Sequence, residues 1–144
     1  MKYLRFVLVM LTFCTNISAQ ENQSGNLYDQ ALRLDIESLP KSKNDTLIVQ
    51  KDDFLSENLP EIINNYNIKY LQKKEIEKYD GTNVSLRKVF PINIQQNLLI
   101  VEIAYFGYAT KSKLWVRSGG SYYKFKYDCN KSQFIFFEKV EYGI

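Results

Sequence analysis

Apolar and polar positions follow two regimes along the chain, helical spacing before Pro40 and strand spacing over most of the rest. Tyr28, Leu32, Ile36 and Leu39 recur three to four apart, with Ala31 beside them, and predict an amphipathic helix. Asn26 is its expected cap, and Asp29 favours its positive N-terminal end. Pro40 stops it, because the residue before a proline is pushed out of helical φ/ψ. Thr46-Leu47-Ile48-Val49 predicts a short strand and Asn67 to Leu71 another. Asn58 to Ile63 predicts the start of a short helix, with Pro60 near its first turn, and Lys73 to Tyr79 a charged helical turn.

From Val84 the period is two. Val84, Leu86, Phe90, Ile92 and Ile94 share one parity, with Pro91 marking an edge or a bulge. Gln95-Gln96-Asn97 predicts a turn. Leu98 to Tyr108 is apolar on both parities and reads as a central strand covered on both faces. Lys111-Ser112-Lys113 turns again, and Ser118-Gly119-Gly120-Ser121 predicts a glycine hairpin. In Tyr122 to Cys129 the side chains alternate, with Tyr123, Phe125, Tyr127 and Cys129 on one face and Lys124, Lys126 and Asp128 on the other. Phe134 to Phe137 opens the last strand.

The fold class that fits is α+β: a helix near the N-terminus packed on a twisted antiparallel sheet that ends in a four-strand meander. This order of helix, then meander, is similar in outline to the cystatin-like and nuclear-transport-factor-like cone folds. That resemblance implies a pocket between the helix and the concave side of the sheet. Exposed edges of such a meander could pair with a second copy, so a homodimer through a sheet edge is one expected assembly.

Residues 1–19 read as a signal peptide: Lys2 and Arg5, then the apolar run Phe6 to Phe13, then Asn16-Ile17-Ser18-Ala19 before the cut. Cleavage after Ala19 leaves residues 20–144, enough for one domain. The apolar run is far below the roughly 20 residues needed to span a bilayer, so no membrane span is expected. The expected location is periplasmic or secreted. Leu11-Thr12-Phe13-Cys14 also has the outline of a bacterial lipoprotein cleavage site, which would make Cys14 a lipid carrier. Phe13 is bulky for such a site, so Cys14 reads instead as part of the signal core. Asp45-Thr46-Leu47 resembles the acceptor for O-linked glycans on exported proteins of some Gram-negative bacteria.

The chain carries 19 basic and 16 acidic residues, which is no nucleic-acid footprint. Residues 20–80 are acidic and residues 81–144 basic, so a basic sheet face is expected. There is no histidine, which removes Ser-His-Asp and Cys-His catalysis and the usual zinc sites. No phosphate loop or calcium loop is present, so no cofactor and no metal is expected. Cys129 is the one cysteine left after cleavage and reads as a buried apolar residue.

Two candidate features remain. Glu102 sits within an apolar strand; buried, it would serve as an acid or base, and otherwise it pairs with a strand cation such as Arg117. Among the aromatic residues Tyr105, Tyr108, Trp115, Tyr122 and Tyr123, the last belongs to the core, while Tyr122 shares the polar face with Lys124 and Lys126. These three are the expected surface for a protein partner or a small ligand, the aromatic ring suiting a sugar or an apolar group. The leading reading is a non-catalytic binding module. The alternatives are a cone-like domain with Glu102 in a helix–sheet pocket and a lipid-anchored envelope component.

Overall fold

The Asn26 side chain accepts from the Tyr28 amide at 3.0 Å and donates to the Phe54 carbonyl at 2.7 Å, so it caps helix α1 (Leu27–Glu37) and ties it to the next loop. The computed structural model describes residues 26–41, 45–79 and 83–143. The segment expected to be a signal peptide, Cys14 within it and the polar stretch to residue 25 lie outside these described residues. No helix among the described residues is long and apolar enough to cross a membrane.

Among the described residues eight strands follow or interleave with the helices: β1 (Thr46–Gln50), β2 (Ile62–Ile63), β3 (Tyr66–Leu71), β4 (Asn83–Val89), β5 (Asn93–Gln95), β6 (Leu98–Ala109), β7 (Leu114–Asp128) and β8 (Gln133–Gly143). A second, one-turn helix α2 (Lys73–Ile76) lies between β3 and β4. The strands form one sheet in the order β2-β3-β1-β4-β6-β7-β8, with β5 paired to β6. The protein is therefore mixed α+β and mostly sheet.

The expectation of a purely antiparallel sheet is corrected, because β1 pairs in parallel with both β3 and β4. Parallel neighbours need a long crossover. The chain supplies one through residues 51–65 and another through the segment that carries α2. From β4 through β6 and β7 to β8 every pairing is antiparallel.

Asn58 to Ile63 does not begin a helix. Ile63 pairs with Tyr66 across Asn64 and Asn65, both at positive φ, which is the geometry of a two-residue hairpin. The Tyr70 hydroxyl donates to the Pro60 carbonyl at 2.9 Å and fixes the loop ahead of it. Gln96 and Asn97 repeat the same turn between β5 and β6. Pro91 falls where β4 ends: Phe90 N donates to Glu102 O, and proline has no N–H to continue the ladder.

The glycine hairpin expected at Ser118 to Ser121 is also corrected. Gly119 and Gly120 lie inside β7, and the turns that bound this strand are at residues 110–113 and 129–132. Cys129 consequently falls in a turn and is exposed, not buried. The alternation of Tyr123, Phe125 and Tyr127 breaks there because Asp128 folds back to accept from the amides of Asn130 and Lys131.

The core has two parts. On one face α1 buries Ala31, Leu32 and Ile36 against Val49, Val89, Val101, Ile103, Tyr123 and Phe125. On the other face Ile76 of α2 joins Ile48, Val84, Leu86 and Tyr108. The strand apolar on both parities, β6, thus feeds both cores. The rest of that second face, beyond the reach of the short α2, stays open.

Candidate functional site

The open face is built from cross-strand rows. Ile100, Glu102 and Ala104 of β6 stand opposite Lys124, Tyr122 and Gly120 of β7. These meet Glu138, Val140 and Tyr142 of β8 in turn. On the far side Asn93 of β5 pairs with Ile100, and Gln95 with Leu98. Together they enclose a groove of about 480 Å3 whose lining includes Asn93, Gln95, Glu102, Tyr122 and Lys124.

Three of the residues singled out from sequence therefore converge. Glu102, Tyr122 and Lys124 line one groove, while Lys126 lies one step further along, exposed, opposite Leu98 and Ile135. The position of Glu102 is a correction as well as a convergence. It lies on the face away from α1, so a helix–sheet pocket would not contain it; its neighbours Val101 and Ile103 point that way instead.

Glu102 is held by two donors. Arg117 Nη2 and the Tyr142 hydroxyl both donate to its Oε1, the latter at 2.5 Å, and Arg117 Nη2 also donates to the Tyr142 hydroxyl. Arg117 reaches this face through a bulge. The register slips between Tyr105 and Phe106, so that Gly119 faces Tyr105, Arg117 faces Phe106, and Ser118 is unpaired. Gly119, at φ +150°, supplies the backbone conformation.

Tyr142 crosses β7 because Gly120 has no side chain. A Cβ there would meet the Tyr142 hydroxyl and, at 2.5 Å, the Ile103 carbonyl. The Tyr142 ring packs on Tyr122 at 4.8 Å between centroids, which fixes the orientation of the groove aromatic. Burial pushes the Tyr142 phenol up to about 12, and its hydrogen bond to Glu102 adds to this. The bond to Tyr142, followed by the charge of Glu102, raises Arg117 further above its ordinary value. Lys124 pairs with Glu138 at 2.7 Å, so each carboxylate beside the groove is engaged by a cation.

Beneath α1 the sheet carries a second polar cluster. Asp35, fully buried, accepts from Arg87 Nε at 2.6 Å, from the Tyr105 hydroxyl at 2.7 Å and from the Tyr123 hydroxyl at 2.9 Å. Ser121 Oγ lies 3.0 Å from the Tyr105 hydroxyl. Burial pushes Tyr105 up to about 12 and Tyr123 higher still. These side chains occupy the space between helix and sheet at this point.

Sequence reasoning missed Asp35 and Arg87. The signal was there for Asp35, which lies three after Leu32 and seven after Tyr28, on the stripe that α1 buries. An acid on a core stripe calls for a buried partner. For Arg87, sharing the inward parity of Val89, the same argument applies. Arg117 was recognisable as a partner for Glu102. Its face was not, because only the bulge moves this odd-numbered residue to the side of Tyr122.

Among the described residues no cluster of carboxylate or cysteine side chains is placed to hold a metal. No model of a known family matches the chain, and no curated protein or solved structure matches it.

Proposed function

We propose that this chain is an exported, non-catalytic binding module, and that it takes a saccharide in the groove opposite α1. The observation that carries this reading is the convergence of Tyr122, Glu102, Lys124, Asn93 and Gln95 on one open groove. An aromatic ring held in place by Tyr142 offers a stacking platform, and the amides and charged groups around it supply the convergent polar contacts that orient a ligand. A cone-like reading would seat the ligand between helix and sheet, where the Asp35 cluster and apolar core now sit. Glycoside hydrolysis needs an acid and a base free to exchange protons. Glu102 and Glu138 are instead bound to Arg117 and Lys124, which favours binding without reaction.

The test is an NMR titration of the mature chain with neutral trisaccharides such as maltotriose, cellotriose and triacetylchitotriose. Saturable shifts at Asn93, Gln95 and Tyr122 are expected with at least one of them. Tyr122→Ala combined with Lys124→Ala should weaken that binding by at least about tenfold, one tenfold step being about 1.4 kcal/mol, while the urea midpoint stays put. Lys126→Ala alone should leave it unchanged. Affinity indifferent to Tyr122 and Lys124 would remove the groove from this role. Export is checked separately: the intact mass of protein recovered from the source cells should start at Gln20. A mass carrying lipid on Cys14 would favour the envelope-anchored alternative.

A further inference from the structure

The same sheet face holds a second concavity, of about 200 Å3, lined by Gln50, Lys73, Lys88, Phe106 and Trp115. Each comes from a different element: β1, α2, β4, β6 and β7. The aromatic wall is rigid. Trp115 packs on the buried Tyr108 ring at 4.7 Å and meets Phe106 edge-on at 6.2 Å. The opposite wall is cationic. Lys88 lies over the Phe90 ring at 5.3 Å and forms no ion pair with any described carboxylate. Lys73 is mostly exposed and pairs only loosely with Glu77, at 4.0 Å. Gln50 is 4% exposed, and its Nε2 binds both carboxylate oxygens of Asp52, at 3.1 and 3.3 Å. That contact engages the Asp52 carboxylate and leaves the amide oxygen able to accept from a hydroxyl.

Cross-strand register links this concavity to the groove. Gln50 neighbours Lys88, Lys88 neighbours Ala104, Ala104 neighbours Gly120, and Gly120 neighbours Tyr142. The two smallest residues thus lie in the middle of a single row, between a cationic end and the cluster of Arg117, Glu102 and Tyr142. From β4 to β8 this row covers three strand spacings, about 14 Å, a distance that a short chain of rings can follow.

We propose that the Lys73–Lys88–Trp115 concavity binds an acidic sugar unit, with its ring against Trp115 and its carboxylate between the two lysines. This rests on the saccharide reading of the neighbouring groove and gives that ligand its charged end. An aromatic face beside the Lys88 ammonium and the loosely paired Lys73 suits a ring that carries a carboxylate. A neutral sugar would leave Lys88 without a counter-charge, and a bare anion would leave the Trp115 wall unused.

Trp115 is the only tryptophan in the chain, so its fluorescence reports on this concavity directly. The full mature chain is titrated with trigalacturonate, with its neutral methyl ester and with inorganic phosphate. Trigalacturonate is expected to give a saturable change that salt weakens. Lys88→Gln should weaken it by at least about tenfold, as loss of a charge-assisted contact does, and Lys73→Gln to a lesser extent. Lys126→Gln should not change it, and thermal unfolding of each variant verifies that the fold is kept.

Equal affinity for acid and ester, or an equal response to inorganic phosphate, overturns the proposal, as does a trigalacturonate affinity indifferent to Lys88. The two readings separate cleanly. If the ester binds through Tyr122 and the acid is no tighter, the charged subsite falls and the groove stands. If the acid binds through Lys88 and Tyr122→Ala has no effect, the charged subsite stands and the groove reading falls.

Discussion

Replacing Asp35 with alanine would leave the Arg87 guanidinium buried without a counter-charge and two phenols without their acceptor. Breaking one partner of a buried pair costs about 3–5 kcal/mol. Urea unfolding of Asp35→Ala should show a loss of that order. The double variant Asp35→Leu with Arg87→Met removes both charges and should be less destabilised than either charge deletion alone; a larger loss would mean the pair contributes net stability. Sequence marked the wrong acid as special. Glu102 stood out because its immediate neighbours are apolar, yet in a strand those neighbours face the other way, and it sits at the edge of solvent. Asp35 looked ordinary because Arg33 and Glu37 lie close to it in sequence, while the helical period puts it on the buried stripe.

Strand β7 depends on Gly120 having no side chain. In Gly120→Ala the new methyl would press on the Ile103 carbonyl, a backbone atom of the adjacent strand, and displace Tyr142 from Glu102. Overpacking of this kind costs about 1–3 kcal/mol. Gly107→Ala is the control: its nearest neighbour is the Val116 carbonyl at 3.9 Å, an ordinary contact, so its urea midpoint should hardly move. Elements were legible where pattern and turn chemistry agreed, as in β6 and at Gln96-Asn97. They were misread where one residue type has two uses. Glycines that usually mark a hairpin here make room for a bulge and a crossing tyrosine. Asn64-Asn65, which does make a hairpin, was masked by the apparent helix start at Asn58 to Ile63 directly before it. The parallel pairing of β1 left no local trace, since it depends on where the crossovers deliver the chain.

Four tyrosines give the whole molecule a sensitivity to alkali. Burial raises Tyr70, Tyr105 and Tyr142 to about 12 and Tyr123 further, against an unfolded value near 10. Below pH 10 both states keep these protons and stability is whole. Between about pH 10 and 12 the unfolded chain releases protons that the folded chain retains, so stability falls as pH rises. The urea midpoint should decline across that window, and Tyr105→Phe should flatten the decline. The edges of the sheet are unequal: β2 has two residues, whereas β8 has eleven and exposes Phe136 and Phe137. We propose pairing of two copies along β8, and Phe137→Lys should shift sedimentation toward monomer.

The unpaired Ser118 has a consequence for chain length. Phe137 is the corresponding extra residue of β8, where the register slips again between Lys124 and Phe125. A strand keeps its faces only while residues are counted in twos, so deleting Tyr122 would turn a run of core side chains outward and solvent side chains inward. Deleting Ser118 or Phe137 would leave Arg117 opposite Phe106 and Phe136 opposite Phe125, with every face unchanged. Variants of this protein that are one residue shorter should therefore stay folded when the gap falls at these two positions and fail when it falls inside the paired strand, as at Tyr122.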